Sequence, residues 1–155
     1  MNPTFQAINS IGNILNINND YQFLSSTFLK RDETAGVTTI NVDNTTDFPS
    51  TGLLLVSVRD SENAEFITYS AKTATTFTTG ALILSHSRGE SVNQTLWNQY
   101  VIQSSPDGTT WSALATIAID PTSTSTIYNH AAGTAGLYYR IAYRNSVTST
   151  QSGFS

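Results

Sequence analysis

The chain has no cysteine, so neither a disulfide framework nor a cysteine-ligated metal can hold it together. Charge is scarce as well: 12% of the 155 residues are charged, about half the usual share for a soluble domain. Seven are Lys or Arg, scattered from Lys30 to Arg144, and the net charge is -4. Phosphate binding needs clustered cations, which argues against a nucleic-acid partner. Nowhere do some twenty apolar residues follow one another, and the opening MNPTFQAINS has neither a basic start nor an apolar run of signal-peptide length. No membrane partner is expected, and the chain should be made and kept soluble in a cytoplasm.

What fills the space is Thr, Ser and Asn, which together make up roughly a third of the chain. The branched Cβ of Thr suits a pleated surface, whereas Ser and Asn bond to their own backbone and favour turns. Both enrichments work against long helices and predict an all-β protein. The length fits one ordinary domain or two very small ones.

By pattern the sequence falls into three parts. In residues 1–33, Phe5, Ile8, Ile11 and Leu15 recur at spacings of three to four, with Asn between them. That is helical spacing, and Asn2 followed by Pro3 suits an N-cap and first helical residue, so the expectation is an arm, partly helical over residues 3–17, that docks on a neighbouring subunit. From about Ala35, the runs VTTINV, GLLLVSV, AEFITY, TTFTT and ALIL read as short strands separated by turn residues every eight to twelve positions. In AEFITY the alternation puts Glu65, Ile67 and Tyr69 on one face and Phe66 and Thr68 on the other. Residues 34–95 are therefore expected to form a small barrel or sandwich.

This middle stretch resembles a β module that recurs in tail, baseplate and fibre proteins of tailed phages. The likeness rests on Phe48, Pro49 and Gly52 leading into an apolar strand, then Glu65, Ile67 and Tyr69, then Phe77 in a Thr-Phe-Thr hairpin, and finally Gly89 and Val92. The stretch GALILSHSRG is longer than the usual form. Residues 96–155 resemble the second half of a fibronectin type III domain, through Tyr100, Ile102, Asp107, Gly108, Trp111, Tyr139, Ile141, Tyr143 and Asn145 in that order. The first two strands of such a domain have no counterpart there. Either the preceding module supplies the missing edge or a partner covers it, since open strand edges are usually paired or blunted.

Residues with chemical potential each have a plain reading. In SSPDGTTW, Pro106 and Gly108 are what a tight turn needs, and the run comes one residue short of the Ser-x-Asp-x-Gly-x-Thr-Trp box of sialidases, itself a structural hairpin. Trp111 is expected in a core shared by Ile102, Tyr139, Ile141 and Tyr143, with Tyr138, Arg140 and Arg144 outward. Asp60, Glu62 and Glu65 lie close enough in sequence to suggest calcium ligands or an acid and base pair, but the glycine and downstream glutamate of a calcium loop are missing. His86 and His130 have no partner at metal-ligand spacing, and AGTAG at residues 132–136 lacks the pattern of a dinucleotide site. No catalytic, metal or cofactor residue is assigned, and the chain is not expected to be an enzyme.

The two resemblances together imply a virion structural protein of a tailed phage, in the neck, tail, baseplate or capsid surface, bound to other virion proteins and to copies of itself. A carbohydrate or receptor-binding module on a fibre is the alternative, in which Trp97, Trp111, Tyr100 or Tyr128 would stack on sugar rings.

Overall fold

The computed structural model describes residues 5–10, 12–20 and 22–155, and these contain no helix and twelve β-strands. The strands are β1 (Phe5–Ser10), β2 (Gly12–Asn18), β3 (Phe23–Phe28), β4 (Thr39–Asn41), β5 (Gly52–Val56), β6 (Glu65–Lys72), β7 (Thr76–Thr79), β8 (Ser91–Thr95), β9 (Gln99–Ser105), β10 (Ser112–Ala118), β11 (Ser125–His130) and β12 (Tyr138–Arg144). The all-β class is as the composition implies.

Contacts divide the described chain into two compact units whose boundaries differ from the pattern in the sequence. One unit combines residues up to Asp20 with Trp97–Asp120 and Thr124–Ser155; the other runs up to Leu96 and takes in Pro121–Ser123. The six-stranded unit is thus an insertion in the chain between β2 and β9 of the first. The described residues among 1–33 do not form one separate segment. Their first part is split from their second by the unit boundary.

The expected helix over residues 3–17 is replaced by an antiparallel β1–β2 hairpin, with Phe5 opposite Ile17 and Ala7 opposite Leu15. Asn2, Pro3 and Ile11 lie outside the described residues. The apolar spacing read as one helical face in fact spans two strands. Within β2 the period is two: Asn13, Leu15 and Ile17 are buried, while Ile14 and Asn16 are only half-buried.

In this first unit β2 lies between β1 and β11, and β9 lies between β10 and β12. The two three-stranded sheets bury Leu15 and Ile17 from one side and Tyr100, Ile102, Tyr139, Ile141 and Tyr143 from the other. Three tyrosine hydroxyls fasten the layers: Tyr100 donates to the Asn18 carbonyl (3.1 Å), Tyr143 to the Asp20 carbonyl (2.9 Å), and Tyr139 accepts from Asn13 Nδ2 (2.6 Å). β1 and β2 of the same chain thus complete the unit that residues 96–155 form only in part.

The second unit is one six-stranded antiparallel sheet in the order β3-β8-β5-β6-β7-β4. Among the described residues its edge strands show no continuous pairing, just the isolated Leu29–Val42 bridge beyond their ends, so it is not a closed barrel. The core contains Leu29, Ile40, Val42, Phe48, Leu54, Val56, Ile67, Tyr69, Phe77, Leu82 and Val92. β6 is central, and its alternation is as read: Glu65, Ile67 and Tyr69 are buried, Phe66 half-buried and Thr68 exposed. The ALIL run is not a strand, because the Ile83 and Leu84 amides turn to a carboxylate and not to a neighbouring strand.

Candidate functional site

In the six-stranded unit, Glu65 opens β6 facing inward, which is costly for a carboxylate unless its charge is satisfied. It is satisfied three times. Glu65 accepts the Ile83 amide at Oε2 (2.9 Å) and the Leu84 amide at Oε1 (3.0 Å), and Oε1 also lies 2.8 Å from His86 Nε2. The other ring nitrogen, Nδ1, lies 2.9 Å from Glu90 Oε2, while Glu90 Oε1 accepts the Ser87 amide (2.9 Å). A ring that donates from both nitrogens satisfies both carboxylates; a neutral ring would need one carboxyl to carry the proton. Backbone bonds in both directions between Glu33 and His86 hold the histidine from a third side.

Burial pushes the Glu90 carboxyl up, but the Ser87 amide, the His86 bond and charge and the Ser57 hydroxyl outweigh it and hold it below its ordinary range. The carboxylates occupy opposite ring nitrogens and share no point where a cation could sit. Among the described residues, no three His, Asp or Glu groups are arranged to hold a metal ion. The His86 side chain is 0% exposed, so a substrate has no access to the imidazole. What the cluster can do is clamp the segment from Ile83 to Glu90 onto β6.

The three carboxylates grouped in the sequence do not act together. Asp60 pairs with Arg59 (3.2 Å) in a residue whose φ of 66° is left-handed, Glu62 is exposed, and Glu65 is in the clamp. Glu90, four residues beyond His86, went unnoticed in the sequence. That spacing brings side chains together only if the chain turns, and Gly89 at φ 85° makes the turn.

Three of the residues on which the resemblance rests, Phe48, Tyr69 and Phe77, form a second cluster in this unit. The Phe77 ring takes Phe48 and Tyr69 edge-on, with centroids 5.0 and 4.7 Å away. The Tyr69 hydroxyl donates to the Pro49 carbonyl (3.1 Å), and burial pushes it up to about 12. A Cβ on Gly52 would lie 3.1 Å from that ring and press against it, so glycine suits the close approach of β5 there.

In the sandwich unit, Asp107 organises the β9–β10 hairpin. Its carboxylate accepts the Thr109 and Thr110 amides (2.8 and 2.7 Å) and the Ser105 hydroxyl (2.8 Å), which holds it well below the usual carboxylate range. Gly108 follows at φ 74°. Trp111, expected in the core, lies on the other face of the sheet. The Arg140 guanidinium sits 4.5 Å from the centre of its ring and 4.5 Å from Phe154, and Arg140 Nε donates to Gln103 (2.7 Å). The loop length explains the difference: Trp111 precedes β10 and never enters the inward-facing row.

Of the proposed sugar-stacking rings, Tyr100 is fully buried and Trp97 stacks on Tyr143 at 6.0 Å. Trp111 has one face under Arg140, and Tyr128 is half-buried. His130 Nδ1 lies 2.9 Å from the Tyr139 hydroxyl, which also meets Asn13. A Cβ on Gly133 would lie 2.9 Å from the His130 carbonyl, so AGTAG is a close-packed turn. Comparison with protein-family models, with curated proteins and with solved structures found no match to this chain.

Proposed function

We propose that this chain is a structural component of a tailed-phage virion, in the neck, tail, baseplate or capsid surface, and that it acts through protein–protein contacts with other virion proteins and with copies of itself. What supports this reading is that the nine residues carrying the likeness to the phage module have one joint structural use. Phe48, Ile67, Tyr69, Phe77 and Val92 are core; Pro49 and Gly52 receive Tyr69; Glu65 holds the 83–90 segment; Gly89 makes its turn. Glu65 and His86, which draw attention in the sequence, are used in the same way, to hold a loop on a strand. Leu24, Phe28 and Ile83 of this unit and Ile127 of the sandwich unit remain exposed, where apolar side chains serve contacts with other proteins.

The experiment is to purify particles, wash them at high salt, quantify the chain by mass spectrometry and locate it by antibody labelling in a low-resolution map. The expected result is a fixed copy number per particle at one site. A chain missing from washed particles but retained on a glycan array would instead be a receptor-binding module and would overturn the proposal.

A further inference from the structure

β12 has β9 on one side, and on the other the chain itself returns. After a turn at residues 145–150, Ser152 N donates to the Tyr143 carbonyl (3.0 Å), Ser155 N to the Ile141 carbonyl (3.0 Å), and Ile141 N to the Ser155 carbonyl (3.2 Å). The Tyr143 amide takes the Ser152 hydroxyl (2.9 Å) where a regular strand would offer a carbonyl, and Arg144 and Gln151 form an isolated bridge. Phe154 adds its ring against Arg140. Asn145 N also donates to the Thr150 carbonyl (3.0 Å) at the mouth of the turn, completing the bridge; each of these contacts joins β12 and the residue after it to residues 150–155, so a copy of that segment attached to another molecule satisfies them equally.

The turn is the part that differs. Asn145 Oδ1 accepts the Val147 and Thr148 amides (2.9 and 3.1 Å), the Ser149 amide returns to the Asn145 carbonyl (2.9 Å), and Ser149 is held at φ 59°, a left-handed conformation in a residue with a Cβ. Short strained hinges favour exchange of the element they carry. Residues 145–155 contain no charge, so a second copy brings no like charge onto Arg140 or Arg144.

We infer that segment 150–155 is an exchangeable strand, and that the same segment of a second copy takes its place along β12 in a reciprocal, two-fold dimer. The inference goes beyond the virion reading and holds or fails independently of where the chain acts.

The test uses the full chain. Native mass spectrometry of protein refolded over a range of concentrations should show a dimer fraction that rises with concentration. Ser149→Gly, which relaxes the turn, should lower that fraction at least tenfold, and deletion of Val147 and Thr148, which prevents the turn, should raise it. In R144C/Q151C, a pair placed at the bridge in a chain without other cysteines, oxidation should link the two chains of the dimer to each other. Disulfides found only within single chains at every concentration would overturn the inference. If no disulfide forms, equal dimer fractions in the wild type and both hinge variants would overturn it too, and would point to the β10 or β11 edge for any dimer observed.

Discussion

Glu90 shows how a carboxylate beside a buried histidine serves the fold. Its carboxyl is held below its ordinary value of 4.5 in the folded protein, so the unfolded state takes up a proton first as pH falls. The stability Glu90 contributes is therefore present above about pH 4.5 and is lost as pH drops through the lower folded value. Glu90→Gln should cost about 1–2 kcal/mol at pH 7, a typical figure for losing one charge-assisted hydrogen bond. It should also flatten the fall in melting temperature between about pH 5 and pH 3. A variant with the wild-type acid profile would show that the Glu90 carboxylate contributes nothing to acid stability. His86 was visible in the sequence as one of two histidines, but its partners were not: Glu65 is twenty-one residues away and meets it only through the folded loop, and Glu90 reaches it only around the Gly89 turn.

Among the elements, β6 carries the middle unit, and Tyr69 on its buried face gives it an alkaline limit. Burial pushes the hydroxyl from 10.0 to about 12, so above about pH 10 the unfolded chain ionises while the folded one keeps its proton. Stability from this residue is fully present below pH 10 and lost through pH 12. Tyr69→Phe should remove much of that alkaline slope, and losing the bond to Pro49 should cost about 0.5–1.5 kcal/mol at neutral pH. An unchanged slope between about pH 10 and pH 12, followed by circular dichroism, would show that another group sets the limit. β5, β6 and β7 were legible in the sequence because each is a short run of strand formers with a turn on either side. β1 and β2 were not. Their apolar residues also fit a helical repeat, and only pairing with β11, more than a hundred residues away, decides between the two periods. ALIL failed for the opposite reason: its composition suits a strand, but a carboxylate from β6 claims its amides.

At the scale of the whole molecule, β1 and β2 are strands of the sandwich, and the six-stranded unit is inserted in the chain between them and β9. This order in the chain was hidden because a strand pair separated from its sheet by an inserted unit leaves no local signal. The sandwich cannot spare the pair: β2 contributes Leu15 and Ile17 to the core, its last residue, Asn18, receives the Tyr100 hydroxyl, and Asp20 after it receives that of Tyr143. Without them, the inner face of β9 and β12 loses its cover, and apolar burial is the main favourable term in so small a unit. The most direct measurement is amide hydrogen exchange on a chain lacking residues 1–20, compared with the full chain. The account predicts that amides of β9 and β12, from Tyr100 to Ile102 and Tyr139 to Tyr143, exchange like an unfolded peptide while those of β5 and β6 keep their protection; full protection of β9 and β12 in the shortened chain would contradict it.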